Sequence, residues 1–165
     1  MKKFCNFALL TAGLLLTVGI GAAVMTRAQE PKAPTVFSND SDKWLDCPGM
    51  PAGCKMLRLY GDPAQSGEFG VRFKYAAHYR IAPHTHGVDE HVTVISGGPF
   101  HVGVGDNFNV NTSAQTVHAT DLAVVPAGVH HFAWADTETI LQVNGFGPFK
   151  RDFLNPSQNE SGVPK

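Results

Sequence analysis

The eight histidines of this 165-residue chain all lie between positions 78 and 131. Among them, His84 and His86 are separated by one residue, and residues two apart in a β-strand point to the same face of the sheet. Two imidazoles side by side give the chelating geometry that a metal ion needs. A short loop at Gly87 returns the chain, so that Glu90, as the first residue of the next strand, adds a carboxylate oxygen.

A second segment, Pro-Ala-Gly-Val-His-His at residues 126–131, supplies a further imidazole. Proline and glycine set a tight turn, after which His131 opens a strand. Three neutral imidazoles and one carboxylate suit Fe(II), Mn(II), Ni(II), Cu(II) or Zn(II). An octahedral ion with four protein ligands keeps two positions for water, O2 or a bidentate substrate. The sequence therefore predicts one divalent metal ion per chain, bound by His84, His86, Glu90 and His131.

The elements that must position these side chains are short strands. β-like runs recur between turn signals, and no stretch after the first thirty residues keeps a helical period for three turns. Many short strands at this spacing predict an all-β sandwich or closed barrel, jelly roll included. The predicted strands are residues 56–60, 69–75, 92–95, 100–104, 115–119, 122–125, 131–134 and 139–143.

The two halves of the predicted metal site resemble the two sequence motifs of the cupin family. Residues 84–97 fit His-x-His-x3-Glu-x6-Gly, and residues 126–131 fit Pro-x-Gly-x2-His. The chain departs from the motifs only at turn and packing positions, where it has His78, Thr120 and Ala135. The resemblance implies a cupin (RmlC-like) jelly-roll β-barrel. It also implies that His84, His86 and Glu90 are the first three metal ligands and His131 the fourth.

Segments outside the motifs extend this resemblance over residues 44–155. They are similar to a group of small stand-alone cupins, which is close to the cupin domains at the end of some anti-sigma factors. The segments are Gly-Asp-Pro at 61–63, Asp-Glu-His-Val-Thr-Val at 89–94, Val-Gly-Val-Gly-Asp at 102–106 and Gly-Pro-Phe at 147–149. Because members of this group mostly have no assigned reaction, the resemblance implies fold and metal more than activity.

Three functions fit a cupin metal site. The favoured one is a metal-dependent enzyme, of dioxygenase, isomerase or hydrolase type, that acts on a small organic molecule. The alternatives are a non-catalytic module that binds or senses a metal or small ligand, and a cupin whose metal only braces the barrel. Nucleic-acid binding is not expected, because the formal net charge is −1 and no Lys/Arg cluster exists. No Gly-rich loop leads into a helix, which argues against a nucleotide cofactor.

Four further residues are candidates for positions around the metal or its substrate. Arg80 has the same parity as the paired histidines, which would bring it near an anionic ligand; a solvated arginine at the rim is the alternative. Asp89 is a candidate acceptor for a ligand imidazole N–H, with an ordinary loop aspartate as the alternative. His91 and His130 are sequence neighbours of ligands, so strand alternation predicts that both point to the opposite face, in a structural role or as partners of the ligands. A shifted turn that puts His130 in place of His131 is the alternative.

Phe132 and Trp134 need a partner if His131 faces the barrel interior. Strand alternation then places both aromatic side chains outward, and large aromatics on an outer face call for a cover. The sequence predicts that this cover is a homodimer interface or the N-terminal arm, residues 29–43.

The ends of the chain predict export. Residues 1–28 have a positive start at Lys2 and Lys3, an apolar stretch and a small-x-small site, which is typical of a cleaved signal peptide. An uncleaved membrane anchor is the alternative. Cleavage would leave a periplasmic or secreted protein with no stable membrane insertion. At the other end of the chain, residues 156–165 are predicted to form a polar tail.

Export also decides how the remaining cysteines are interpreted. After cleavage only Cys47 and Cys54 are left. An even pair at short spacing in an oxidising compartment predicts a disulfide.

Overall fold

The computed structural model of the protein describes residues 33–39, 43–155 and 161–162. The predicted signal peptide, residues 1–28, lies outside the described residues. The chain divides into two units, residues 1–35 and 36–165, and the strands all belong to the second. No helix in the described part is long and apolar enough to cross a lipid bilayer.

Eleven β-strands are found in the described part, which contains no α-helix. They are β1 (Leu45–Asp46), β2 (Cys54–Tyr60), β3 (Gly67–Tyr75), β4 (Arg80–Thr85), β5 (Glu90–Ser96), β6 (Phe100–Val104), β7 (Gln115–Val117), β8 (Leu122–Val125), β9 (His131–Ala135), β10 (Thr139–Gly147) and β11 (Asp152–Phe153).

These strands form two antiparallel sheets that enclose one apolar core. The six-stranded sheet has the order β1-β2-β3-β10-β5-β8, and the five-stranded sheet has the order β11-β4-β9-β6-β7. Non-consecutive neighbours within each sheet and a core between the sheets define a jelly roll. The predicted all-β jelly-roll fold is therefore confirmed.

Strand β3 shows how the sequence produces this arrangement. Phe69, Val71, Phe73 and Tyr75 are all buried, whereas Arg72, on the other side of the strand, is partly exposed. Because side chains alternate along a strand, apolar residues at every second position face the core. Burying them in β3, which pairs with β2 and β10, stabilises the centre of the six-stranded sheet.

The outer face of the five-stranded sheet is covered by the loop between β6 and β7, residues 105–114. Phe132 is only 1% exposed, and the ring of Phe108 from this loop lies 5.2 Å from it and 5.9 Å from the ring of Trp134. A Cβ at Gly103 would lie 2.4 Å from Phe132, so only glycine leaves room for that ring.

The prediction that a homodimer or the N-terminal arm covers these aromatics is therefore wrong for Phe132. Two described residues of the arm instead contact the six-stranded sheet: Phe37 lies 5.9 Å from the ring of Tyr60, and Asn39 accepts a hydrogen bond from Arg72. The prediction failed because alternation gives the face of a residue but not the loop that folds over it. A homodimer stays a prediction.

The predicted disulfide is present. Cys47 and Cys54 are joined, which closes a loop that leads into β2. Both cysteines are buried in the core cluster. The disulfide fits an oxidising compartment.

Candidate metal centre

Three imidazoles converge inside the five-stranded sheet. His84 lies on β4 and pairs in register with His131, the first residue of β9, while His86 follows β4 directly. The ring centroids of His84 and His131 are 4.2 Å apart, and each residue of the trio is at most 3% exposed. One nitrogen of each ring lies within 4.8 Å of the others. Adjacent antiparallel strands thus bring together residues that are far apart in sequence.

Backbone carbonyls hold all three rings in the same tautomer. The Nδ1 atoms of the three rings each bond to a carbonyl oxygen, those of Ala82 (2.7 Å), Lys150 and Val129 (3.0 Å). Because a carbonyl only accepts, each bond requires the proton on Nδ1 and leaves the Nε2 lone pair free. The buried Nε2 of His86 has no hydrogen-bond partner in the described part of the chain. A ring held in this way is oriented as metal-binding imidazoles usually are.

Glu90, the first residue of β5, adds a carboxylate from the opposite sheet. Its Oε2 lies 3.6 Å from Nε2 of His86 and 3.5 Å from Nε2 of His131. It stands outside the mutually close group formed by the three histidines. Burial alone would raise the pKa of Glu90, but the His131 and His86 imidazoles outweigh burial and lower it. Glu90 therefore supplies a negative charge beside two of the imidazoles.

Burial disfavours the charged form of two of the histidines, His84 and His86. Burial is the main cause that lowers the pKa of His84, and the positive charge of Arg151 lowers it further. Burial also lowers the pKa of His86. Unprotonated imidazole nitrogens and an ionised carboxylate at these positions are electron-pair donors that one cation can share. The three histidines are therefore positioned to bind a metal ion.

Arg151 lies at the edge of this cluster, and no sequence pattern singles it out. Its guanidinium lies 5.8 Å from the ring of Phe73, and its charge acts on the hydroxyl of Tyr75. Burial raises the pKa of Tyr75 to about 12, and Arg151 opposes that rise. Because Arg151 precedes β11 in an irregular segment, no strand alternation indicates its direction.

Arg80 does not reach the metal centre. It pairs with Trp134 in register, and its guanidinium lies 5.2 Å from the ring of Phe108 on the outer face. The parity argument fails because the β4–β9 register shifts between Ile81 and His84, so that both of these residues line the interior. The expectation that Arg80 shares the face of His84 is wrong.

The remaining candidates also lie outside the imidazole cluster. Asp89 Oδ1 accepts a hydrogen bond from the backbone N–H of Ala127 (2.8 Å), which ties the two motif loops together instead of orienting an imidazole. His91 is exposed and, with Asp89, lines an outer groove of about 570 Å³ to which none of the three clustered histidines contributes. The Nδ1 of His130 lies 2.7 Å from Oδ1 of Asp106.

Two separate cavities lie near the centre and share one lining residue, Arg151. An interior cavity of about 20 Å³ is lined by His84, Glu90 and His131, together with Arg151. A larger cavity of about 350 Å³ lies beneath the disulfide loop, and Arg151 lines that one too. The ring of Phe149, which also lines the larger cavity, stacks on His86 at 4.2 Å. The imidazole cluster is thus separated from the larger cavity by Arg151 and Phe149.

Comparison with known proteins gives structural matches only. The sequence matches no protein-family model and no curated protein. An acetylacetone dioxygenase from Acinetobacter johnsonii is similar in structure, with a TM-score of 0.58, 15% identity, and coverage of 82% of this chain and 88% of that one. The polyketide cyclase RemF from Streptomyces resistomycificus has a TM-score of 0.59 and 12% identity, with coverage of 76% and 89%.

A third similar structure is an RmlC-like cupin from Shewanella frigidimarina. It has a TM-score of 0.51 and 22% identity, and the match covers 68% of this chain and 91% of that one. At these identities the matches establish the fold alone, and the similarity to anti-sigma-factor cupins stays a prediction. The two sheets, their topology and these neighbours together establish that the chain has the cupin jelly-roll fold.

Proposed function

We propose that the chain binds one divalent metal ion through His84, His86, Glu90 and His131 and is a metal-dependent enzyme acting on a small organic molecule. The observation that carries this proposal is the convergence of three buried Nε2 lone pairs, each fixed by an Nδ1–H donated to a carbonyl. Such an arrangement leaves buried acceptors without donors, which is costly unless a cation binds between them.

The donor set fits the predicted ions. Imidazole suits Fe, Ni, Cu and Zn, and a carboxylate extends the range to Mn. When bound, such an ion supplies Lewis acidity and activates water. The role of the chain's own residues is to keep the imidazoles neutral, to offset charge through Glu90, and to shield the centre, where each histidine is at most 3% exposed.

Catalysis is favoured over a purely bracing metal because the centre adjoins space for a ligand. The cavity of about 350 Å³ lies within the size range of small-molecule sites, roughly 300–1,000 Å³. Proteins of the same fold are named as a dioxygenase and a cyclase, which makes a dioxygenase, isomerase or hydrolase reaction the first choice by analogy of fold. Export to a periplasmic or extracellular location is part of the proposal, and the disulfide supports it.

The first test measures the metal content of the purified wild-type protein and of two variants with substitutions at adjacent residues. We expect about one equivalent of Fe, Mn, Ni, Cu or Zn in wild type, loss of most of it in Glu90→Ala, and retention in His91→Ala, because His91 is exposed and lies outside the cluster. A folded wild-type protein that takes up no metal on reconstitution would refute the proposal.

The second test is turnover by the metal-loaded protein. Oxygen consumption, isomerisation and hydrolysis are measured on a panel of small diketones, hydroxy acids and esters. We expect activity that Glu90→Ala lacks. Bound metal without turnover of any compound would favour the non-catalytic binding module instead.

A further inference from the structure

The guanidinium of Arg151 has no directly paired carboxylate among the described residues, although Glu90 lines the same interior cavity and the two charges interact. In residues 33–39, 43–155 and 161–162, no carboxylate oxygen forms a salt bridge with it within 4.0 Å. Its Nε atom is buried and has no hydrogen-bond partner there. Arg151 as a whole is half-buried, but its Nε–H is shielded from water, and a buried N–H without an acceptor is costly. The guanidinium thus has donor capacity that a ligand can use.

The position of Arg151 connects the metal centre to a ligand-sized space. The interior cavity of about 20 Å³ has room for about one water molecule and no more. The outer cavity of about 350 Å³ is lined mainly by apolar side chains, including Met50, Met56, Phe73 and Phe149. Because Arg151 lines both spaces, it places a cation between an apolar cavity and the proposed metal ligands.

The charge of the loaded centre points to the same kind of ligand. A divalent ion held by the proposed ligands would add positive charge beside Arg151, which lines the same interior cavity as His84, Glu90 and His131. An anionic ligand lowers that charge, and the guanidinium binds a carboxylate through two parallel hydrogen bonds. The charge contributed by a metal ion depends on the proposed function, whereas the unpaired guanidinium of Arg151 and the apolar cavity do not.

We propose that the cavity beneath the Cys47–Cys54 loop binds a small organic carboxylate, whose anionic oxygens pair with Arg151 and whose apolar body packs against Phe149. The substrate class of the proposed enzyme is then small aliphatic or aromatic monocarboxylates. Arg151 is a binding residue that selects the anionic group. If the role of Arg151 were purely structural, the cavity would show no preference for acids over amides.

The test is calorimetric titration of the metal-free protein with matched pairs of probes: benzoate and benzamide, phenylacetate and phenylacetamide, hexanoate and hexanamide. We expect at least one acid to bind about tenfold or more tightly than its amide, the scale of a charge-assisted hydrogen bond. The preference is lost in Arg151→Met, weakened in Arg151→Lys, and kept in Arg58→Met, whose arginine is exposed at the surface.

A second variant separates the cavity from the charge. Met50→Trp keeps Arg151 and fills part of the cavity, so we expect it to weaken binding of the preferred acid while the near-ultraviolet circular dichroism shows a folded protein. Wild-type protein that prefers no acid over its amide would overturn the inference, as would a preference that survives in folded Arg151→Met. Metal content is measured on the same samples. Failure of acid binding with metal uptake intact refutes this inference alone, whereas absence of metal uptake refutes the proposed function.

Discussion

Histidines on the two faces of the five-stranded sheet have different partners. On the inner face, His84 and His131 bond through Nδ1 to backbone carbonyls and direct Nε2 toward each other. On the outer face, His101 of β6 contacts Asp136 through Nε2 at 3.0 Å, and its ring stacks on Trp134 at 4.6 Å. His130, the sequence neighbour of His131, contacts Asp106.

This difference shows which feature makes a histidine available to a metal ion. A carbonyl partner at Nδ1 fixes a neutral ring with a free lone pair, and three such rings together form a site. An outer histidine paired with an aspartate has no second imidazole within reach in the described part of the chain. The partner of each ring nitrogen, rather than the abundance of histidine, therefore distinguishes the candidate site.

The largest effect expected is the complete loss of metal from the inner face in His131→Ala. Removal of one of three convergent imidazoles should cost more affinity than the roughly 10- to 100-fold that follows loss of an outer partner. The measurement is metal affinity by competition with a chelator. Affinity within tenfold of wild type would show that His131 is not a ligand.

The substitution of the next residue, Phe132→Ala, should lower stability and leave metal affinity unchanged. Phe132 is 1% exposed beneath Phe108, so its truncation is expected to lower the free energy of unfolding by about 3–5 kcal/mol. Metal affinity at a temperature where the variant is folded should stay close to that of wild type. Urea unfolding checks the first part, and a loss below 1 kcal/mol would mean that the 105–114 loop does not cover the ring.

Removal of the disulfide should have a smaller effect on stability. Replacing both Cys47 and Cys54 by serine opens a loop of eight residues, for which loop-closure entropy gives about 2–3 kcal/mol. Metal content should be retained, because neither cysteine belongs to the imidazole cluster. Unfolding of wild type with and without a reductant provides the matching control. Loss of metal in the double variant would show that the imidazole cluster depends on the disulfide loop.

The smallest effect is expected from loss of the contact between His130 and Asp106. His130→Ala removes a contact between side chains that are 46% and 70% exposed, so stability should change by about 0.5 kcal/mol or less. Metal affinity should not change either, in contrast to His131→Ala one residue further along the chain. A fall in affinity comparable to that of His131→Ala would mean that His130 and His131 exchange roles.

The sequence predicted the fold and the inner histidines because both depend on local rules. Spacing within a strand fixes a face, as it does for His84 and His86, and Pro-Gly turn residues mark where His131 begins a strand. The same rule failed for Arg80, because the register shift between β4 and β9 reverses the parity without a strong signal in the sequence.

The remaining features depend on loops, whose direction the sequence does not specify. Phe108 covers Phe132 from the segment between β6 and β7, and Arg151 enters the interior from the irregular segment before β11. Loop residues have no period, so neither alternation nor spacing indicates where their side chains point. Such contacts require the three-dimensional path of the chain.

X-ray absorption spectroscopy of the metal-loaded protein tests the central claim most directly. Three imidazoles from the inner face of the five-stranded sheet and Glu90 from the opposite sheet predict a first shell of nitrogen and oxygen atoms. Its spectrum should have the multiple-scattering signature of three imidazoles, reduced to two in His84→Ala and unchanged in His101→Ala. A spectrum with fewer than two imidazoles, or one that loses an imidazole in His101→Ala, would contradict the account.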